Sequence, residues 1–90
     1  MNEVQSIKLI ISEMINLLEE FDLTYWSTAF KRFLTEIDSN FSQVKHDILR
    51  NYAGMGSFND IVLEKNGEYP IYENDKFSKL RNDLYDLCLV

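Results

Sequence analysis

The chain predicts a mainly α (α+β) fold, a compact four-helix domain with a small β-hairpin before the last helix. Three observations predict it. Four stretches repeat their apolar residues at the 3.6-residue spacing of an amphipathic helix. Asn66-Gly67 separates two short apolar-containing runs, and both residues tolerate the positive φ that a two-residue hairpin turn demands. At 90 residues the chain supports one core and no second one, so residues 1–90 read as a single acidic helical domain.

The first helix is expected from about Asn2 to Glu20. Val4, Ile7, Ile10, Ile11, Met14, Ile15, Leu17, Leu18 and Phe21 form a face broad enough for two neighbours, which marks this helix as central. Leu9 falls on the polar side. Asp22 is positioned to cap a second helix running to about Ile37, with Phe21 and Trp26 placed as a hydrophobic staple. Trp26, Ala29, Phe30, Phe33, Leu34 and Ile37 share its apolar face, and Arg32 with Glu36 forms an i,i+4 pair on the margin.

Asp38-Ser39-Asn40 stops the second helix and offers caps for a third, lined by Phe41, Val44, Ile48 and Tyr52 and ending near Asn51. Ala53-Gly54-Met55-Gly56-Ser57 breaks the periodicity. Two strands are then expected, Asp60 to Glu64 and Glu68 to Tyr72, around a turn that contains Gly67. Pro70 cannot donate to a ladder, so the second strand is short and at an edge. The last helix is expected to begin near Asn74 as its cap, with Asp75 in the first turn and Phe77, Leu80, Leu84, Leu87 and Cys88 as its stripe.

Fifteen acidic against nine basic residues give a formal charge of -6, which argues against general affinity for nucleic acid or anionic membrane. Cys88 is the lone cysteine, so no intrachain disulfide forms, and a reducing cytoplasm is the expected compartment. The first residues lack a signal-peptide pattern, and no apolar run approaches the length of a membrane span.

Few residues point to chemistry. Gly54-Met55-Gly56-Ser57 lacks the lysine and preceding strand of a nucleotide loop, and Gly54 and Gly56 read as structural, a helix-ending glycine and a turn glycine. His46, the only histidine, falls opposite the apolar side of the third helix. One His and one Cys do not supply a zinc site, and the acidic spacing does not match a calcium loop, so no metal or other cofactor is expected. A Ser57, His46, Asp60 constellation has no sequence feature to position it, and no catalytic residue is assigned.

The acidic residues fall into two groups. Glu13, Glu19, Glu20 and Asp22 form one, and Asp60, Glu64, Glu68, Glu73 and Asp75 surround or follow the expected hairpin. Each reads either as ordinary solvated surface or as a face complementary to a cationic protein. On the second reading, Asp60, Glu64, Glu68 and Glu73 steer the partner while Tyr69 and Tyr72 anchor it.

Gly54-Met55-Gly56-Ser57-Phe58-Asn59-Asp60 with Ile61-Val62-Leu63, and Asn74, Asp75, Phe77, Leu80-Arg81 and Leu84-Tyr85-Asp86-Leu87, resemble a group of short, uncharacterised bacterial proteins. Members often have a further glycine where this chain has Ala53. The resemblance implies a bacterial, soluble, single-domain protein and transfers no catalytic residue. In size and charge the chain is also similar to immunity proteins that neutralise toxin domains, an analogy and not a shared motif. The expectation is a non-catalytic binding module for a basic partner such as a toxin nuclease. The alternative is a structural or regulatory domain that self-associates, with Leu9 and Tyr85 as exposed contacts, and the sequence leaves the oligomeric state open.

Overall fold

A helix over Glu3–Glu20 (α1) opens on Asn2, whose Oδ1 accepts a 2.8 Å hydrogen bond from the Gln5 amide, and Glu3 sits favourably in its first turn. Its broad apolar face buries Ile7, Ile11, Met14, Ile15, Leu17 and Leu18. The structure, a computed structural model, describes residues 2–52 and 58–89. Three further helices are Thr24–Glu36 (α2), Phe41–Arg50 (α3) and Ile71–Cys88 (α4), with a 3-10 turn at Phe58–Asp60. α1 lies between α2 and α4, as its wide apolar face predicts, and α3 closes the domain against α4 and α2. One core cluster joins all four helices with Phe58 and Leu63 of the connecting segment. The radius of gyration is 12.8 Å, close to the value of about 12 Å for a compact chain of this length.

The turn between α1 and α2 differs from expectation. Asp22 does not cap α2 but ends α1. Its φ is 60°, its amide donates to the Glu19 carbonyl at 3.1 Å, and the Leu23 amide reaches back to Leu18 at 2.8 Å. This is a Schellman ending, with an aspartate in the left-handed position that glycine usually fills. Asp is among the few residues that tolerate it. The cap of α2 is therefore Leu23, without a side-chain hydrogen bond. The Phe21–Trp26 staple has no cap to bracket, and Trp26 packs on Phe58 with ring centroids 5.2 Å apart. Arg32 and Glu36 do not form an ion pair. The Arg32 guanidinium lies 5.5 Å from the Phe33 ring centroid.

Of the residues expected to cap α3, Asn40 takes the N-cap position, with its carbonyl accepting from the Val44 amide at 2.9 Å, while Asp38 and Ser39 are engaged elsewhere. Asp38 accepts from Lys8 on α1 at 2.7 Å, the Ser39 hydroxyl donates to the Glu36 carbonyl, and Asn40 makes no side-chain cap bond.

The hairpin does not form among the described residues. Asn66 and Gly67 do adopt positive φ, 56° and 81°, but the turn closes only one antiparallel bridge, between Lys65 and Glu68. Neither flank can extend it. On one side the Leu63 amide and carbonyl are already held by Asn74, and on the other Pro70 lacks an N–H and takes the N-cap position of α4. Asn74 is accordingly not a cap. It lies one turn inside α4, and its carboxamide takes the place of a partner strand for Leu63. Oδ1 accepts from the Leu63 amide at 2.8 Å, and Nδ2 donates to the Leu63 carbonyl at 2.9 Å.

Candidate functional site

Residues 58–69 form a connecting segment that helical side chains hold in place. Phe58 is fully buried at the centre of an aromatic cluster. Its ring centroid is 4.6 Å from Phe30, 5.5 Å from Tyr52 and 5.6 Å from Phe77. The Phe58 amide donates to the Asn51 carbonyl at 2.8 Å, and the Asn59 carboxamide donates to the Tyr52 carbonyl. From α4, the Arg81 guanidinium donates to the Phe58 and Ile61 carbonyls, both at 3.1 Å. Leu63 is then clasped by Asn74 with its side chain in the core. Such partners satisfy backbone groups that a strand would otherwise have paired.

With Leu63 fixed inward, the adjacent Val62 faces outward, and Tyr69, Ile71 and Tyr72 are exposed around the start of α4. Val62 is 58% exposed, Tyr69 63%, Ile71 78% and Tyr72 73%. Four large apolar side chains thus stand in solvent within eleven residues of chain, flanked by the exposed Glu64, Glu68 and Asp75 and the half-buried Glu73. Tyr69 and Tyr72 take the exposed positions that an anchoring role needs. Sequence reasoning misses Val62 and Ile71, and the signal that could have found Val62 is its place beside the inward Leu63.

The acidic residues divide by what they touch. Glu64 accepts from the Gly67 amide at 2.6 Å, so its carboxylate stabilises the turn. Burial lowers the pKa of the Arg81 guanidinium, and Tyr52 and Asp60 nearby offset part of that effect. The side chains of Glu68 and Glu73 have no hydrogen-bonding or ionic partner among the described residues, nor do those of Tyr69 and Tyr72. Gly67 adopts a φ of 81° with open space around it. Gly54, Gly56 and Ser57 lie outside the described residues.

Elsewhere, burial raises the pKa of the Tyr52 hydroxyl, and the nearby Cys88 adds to the effect. That hydroxyl donates to the Arg81 carbonyl at 2.8 Å. The Cys88 thiol is pushed up to about 11, chiefly by burial, as an inert core cysteine should be. His46 is exposed on α3, and no group of three metal-ligating side chains gathers among the described residues. Leu9 is exposed on α1, and Tyr85 is partly exposed beside Tyr52 at 5.1 Å between centroids. No helix among the described residues is long and apolar enough to cross a membrane.

A four-helix domain with a side-chain-clasped connecting segment is the class that these features define. A family described as a domain of unknown function (DUF6966) matches residues 19–71, from the last turn of α1 to the first residue of α4. The chain belongs to this family. No curated protein and no solved structure matches the chain.

Proposed function

We propose that the protein is a non-catalytic binding module whose Val62–Asp75 face engages a cationic protein, in the manner of an immunity protein masking a basic toxin domain. The observation that carries this reading is the exposure of Val62, Tyr69, Ile71 and Tyr72 within an acidic stretch. Exposed aromatic and aliphatic side chains with a charged rim have the composition of a protein-binding patch. The rim also argues for a partner unlike the chain itself. Two copies meeting through this face would set Glu68 and Glu73 against their own like charges, which disfavours the contact. Glu68, Tyr69, Tyr72 and Glu73 make the direct contacts, Asp60 adds to the acidic rim, and Glu64 closes the turn that presents them.

The test is co-purification from the expressing cell, then binding kinetics at several ionic strengths. Association should slow as salt rises, because screening shortens the reach of exposed charge to about 8 Å at physiological salt. Tyr69→Ala with Tyr72→Ala should weaken binding by about 2 kcal/mol or more, mostly through faster dissociation. Glu68→Lys with Glu73→Gln should slow association and lower the melting temperature only slightly, through loss of the Glu73 charge from the first turn of α4. An acidic partner, or an on-rate indifferent to salt and to both pairs of changes, removes this reading. Recovery of a homodimer alone would put self-association in its place.

A further inference from the structure

The chain's charge is not spread evenly. α1 holds Glu3, Glu13, Glu19 and Glu20 against Lys8 alone, and residues 60–75 hold five acids against Lys65. α2 and α3 run the other way, with Lys31 and Arg32 against Glu36 on one helix and Lys45 and Arg50 against Asp47 on the other. A groove of about 420 Å³ lies on this less acidic side, walled by α2 and reaching Asn51 at the end of α3. That volume falls in the range of small-molecule sites.

The groove combines an apolar floor with donors that are not otherwise engaged. Ala29 and the Phe33 ring line it, and the Arg32 guanidinium lies across that ring. Arg32 forms no ion pair among the described residues, whereas Lys8, Lys31, Lys45, Arg50 and Lys79 all pair with carboxylates. Thr28 and Thr24 stand one and two turns before Arg32 on the same helix face. Neither hydroxyl bonds to a helix carbonyl, in contrast to Ser27 and Thr35 of the same helix, which bond to the carbonyls of Thr24 and Lys31. Tyr25 adds a phenol at the rim.

We propose that the groove between α2 and the end of α3 binds a small organic oxyanion, a carboxylate or phosphate carried on an aromatic or apolar body. Arg32 pairs with the anionic oxygens, the Thr24 and Thr28 hydroxyls donate to them, and Phe33 with Ala29 receives the body. A guanidinium suits this role because its planar fork matches both oxyanions and its face stacks on rings. The site is independent of the acidic face and stands or falls apart from it.

The test titrates benzoate and phenyl phosphate into isotope-labelled protein and follows its amide and guanidinium resonances. Saturable shifts confined to Thr24–Phe33, the Arg32 side chain and Asn51 are expected, and the tighter of the two probes identifies the headgroup. Arg32→Gln should weaken binding at least tenfold at an unchanged melting temperature, and Thr24→Val with Thr28→Val should weaken it by a smaller factor. Benzamide, isosteric but neutral, should fail to bind. Shifts that are absent or map elsewhere, survive Arg32→Gln, or appear equally with benzamide would overturn the proposal.

Discussion

Phe58 does more for the fold than its position between two expected elements indicates. It is fully buried and touches aromatic rings from α2, the end of α3 and α4. Removing its ring leaves a cavity at the point where three helices meet. Phe58→Ala should cost about 3–5 kcal/mol in urea denaturation, and Phe58→Leu should cost clearly less because most of the volume stays. The sequence pattern leaves Phe58 between the third helix and the strand expected from Asp60, because a single aromatic after a break has no period to reveal its direction. Tyr52 and Cys88 carry a second consequence at this scale. Both are acids that burial keeps protonated, and the thiol rises from 9.0 to about 11. Between those values the unfolded chain has released the Cys88 proton and the folded chain has not, so stability falls as pH rises. Tyr52 extends the same trend to higher pH. Melting temperatures measured from pH 8 to 10.5 should decline, and Tyr52→Phe with Cys88→Ala should flatten the decline.

Helix identity is legible in the sequence because four long periodic faces each have one solution, and the breadth of the α1 face marks it as central. The beginnings of α2 and α4 are not, for a physical reason at each site. Asp22 and Asn74 are both strong capping residues by type. One ends the preceding helix in a left-handed conformation, and the other reaches across to another segment. Capping propensity describes what a side chain can do for its own backbone and is blind to a more distant backbone in need of partners. The Asn-Gly turn is likewise legible, while the strands around it are replaced by side-chain bonds. Asn74 offers the sharpest check. Asn74→Asp keeps the acceptor for the Leu63 amide but sets a carboxylate against the Leu63 and Pro70 carbonyls, which now accept from Nδ2. It should destabilise the protein by about 1–3 kcal/mol, with Asn74→Ala in the same range, and hydrogen exchange at Leu63 should accelerate in both.

Across the whole molecule, the family match ends at Ile71, where α4 begins, yet the structure of the matched part depends on the rest of that helix. Phe77, Leu80 and Leu84 complete the core, and Asn74 with Arg81 fixes the connecting segment. A fragment of residues 1–71 should therefore lose cooperative unfolding, and its circular dichroism should melt without a sharp transition. A two-state melt of that fragment would show that α4 is dispensable. The candidate binding face is partly legible: tyrosines and glutamates announce themselves by type, whereas Val62 looks like core until Leu63 is known to occupy the interior, and Ile71 until α4 is known to open on it.

The way the 58–69 segment is fastened separates two tasks that most surfaces combine. Its hold on the domain runs through Phe58, Leu63 and main-chain groups gripped by Asn74 and Arg81. Main-chain groups are the same whatever residue bears them. The outward positions Val62, Glu68 and Tyr69, with Ile71 and Tyr72 at the start of α4, can consequently be rewritten with little effect on the interior. On the proposed binding role, a lineage under pressure to change partners would find here a stretch where specificity drifts while the architecture stands still, a frame in which the picture can be replaced.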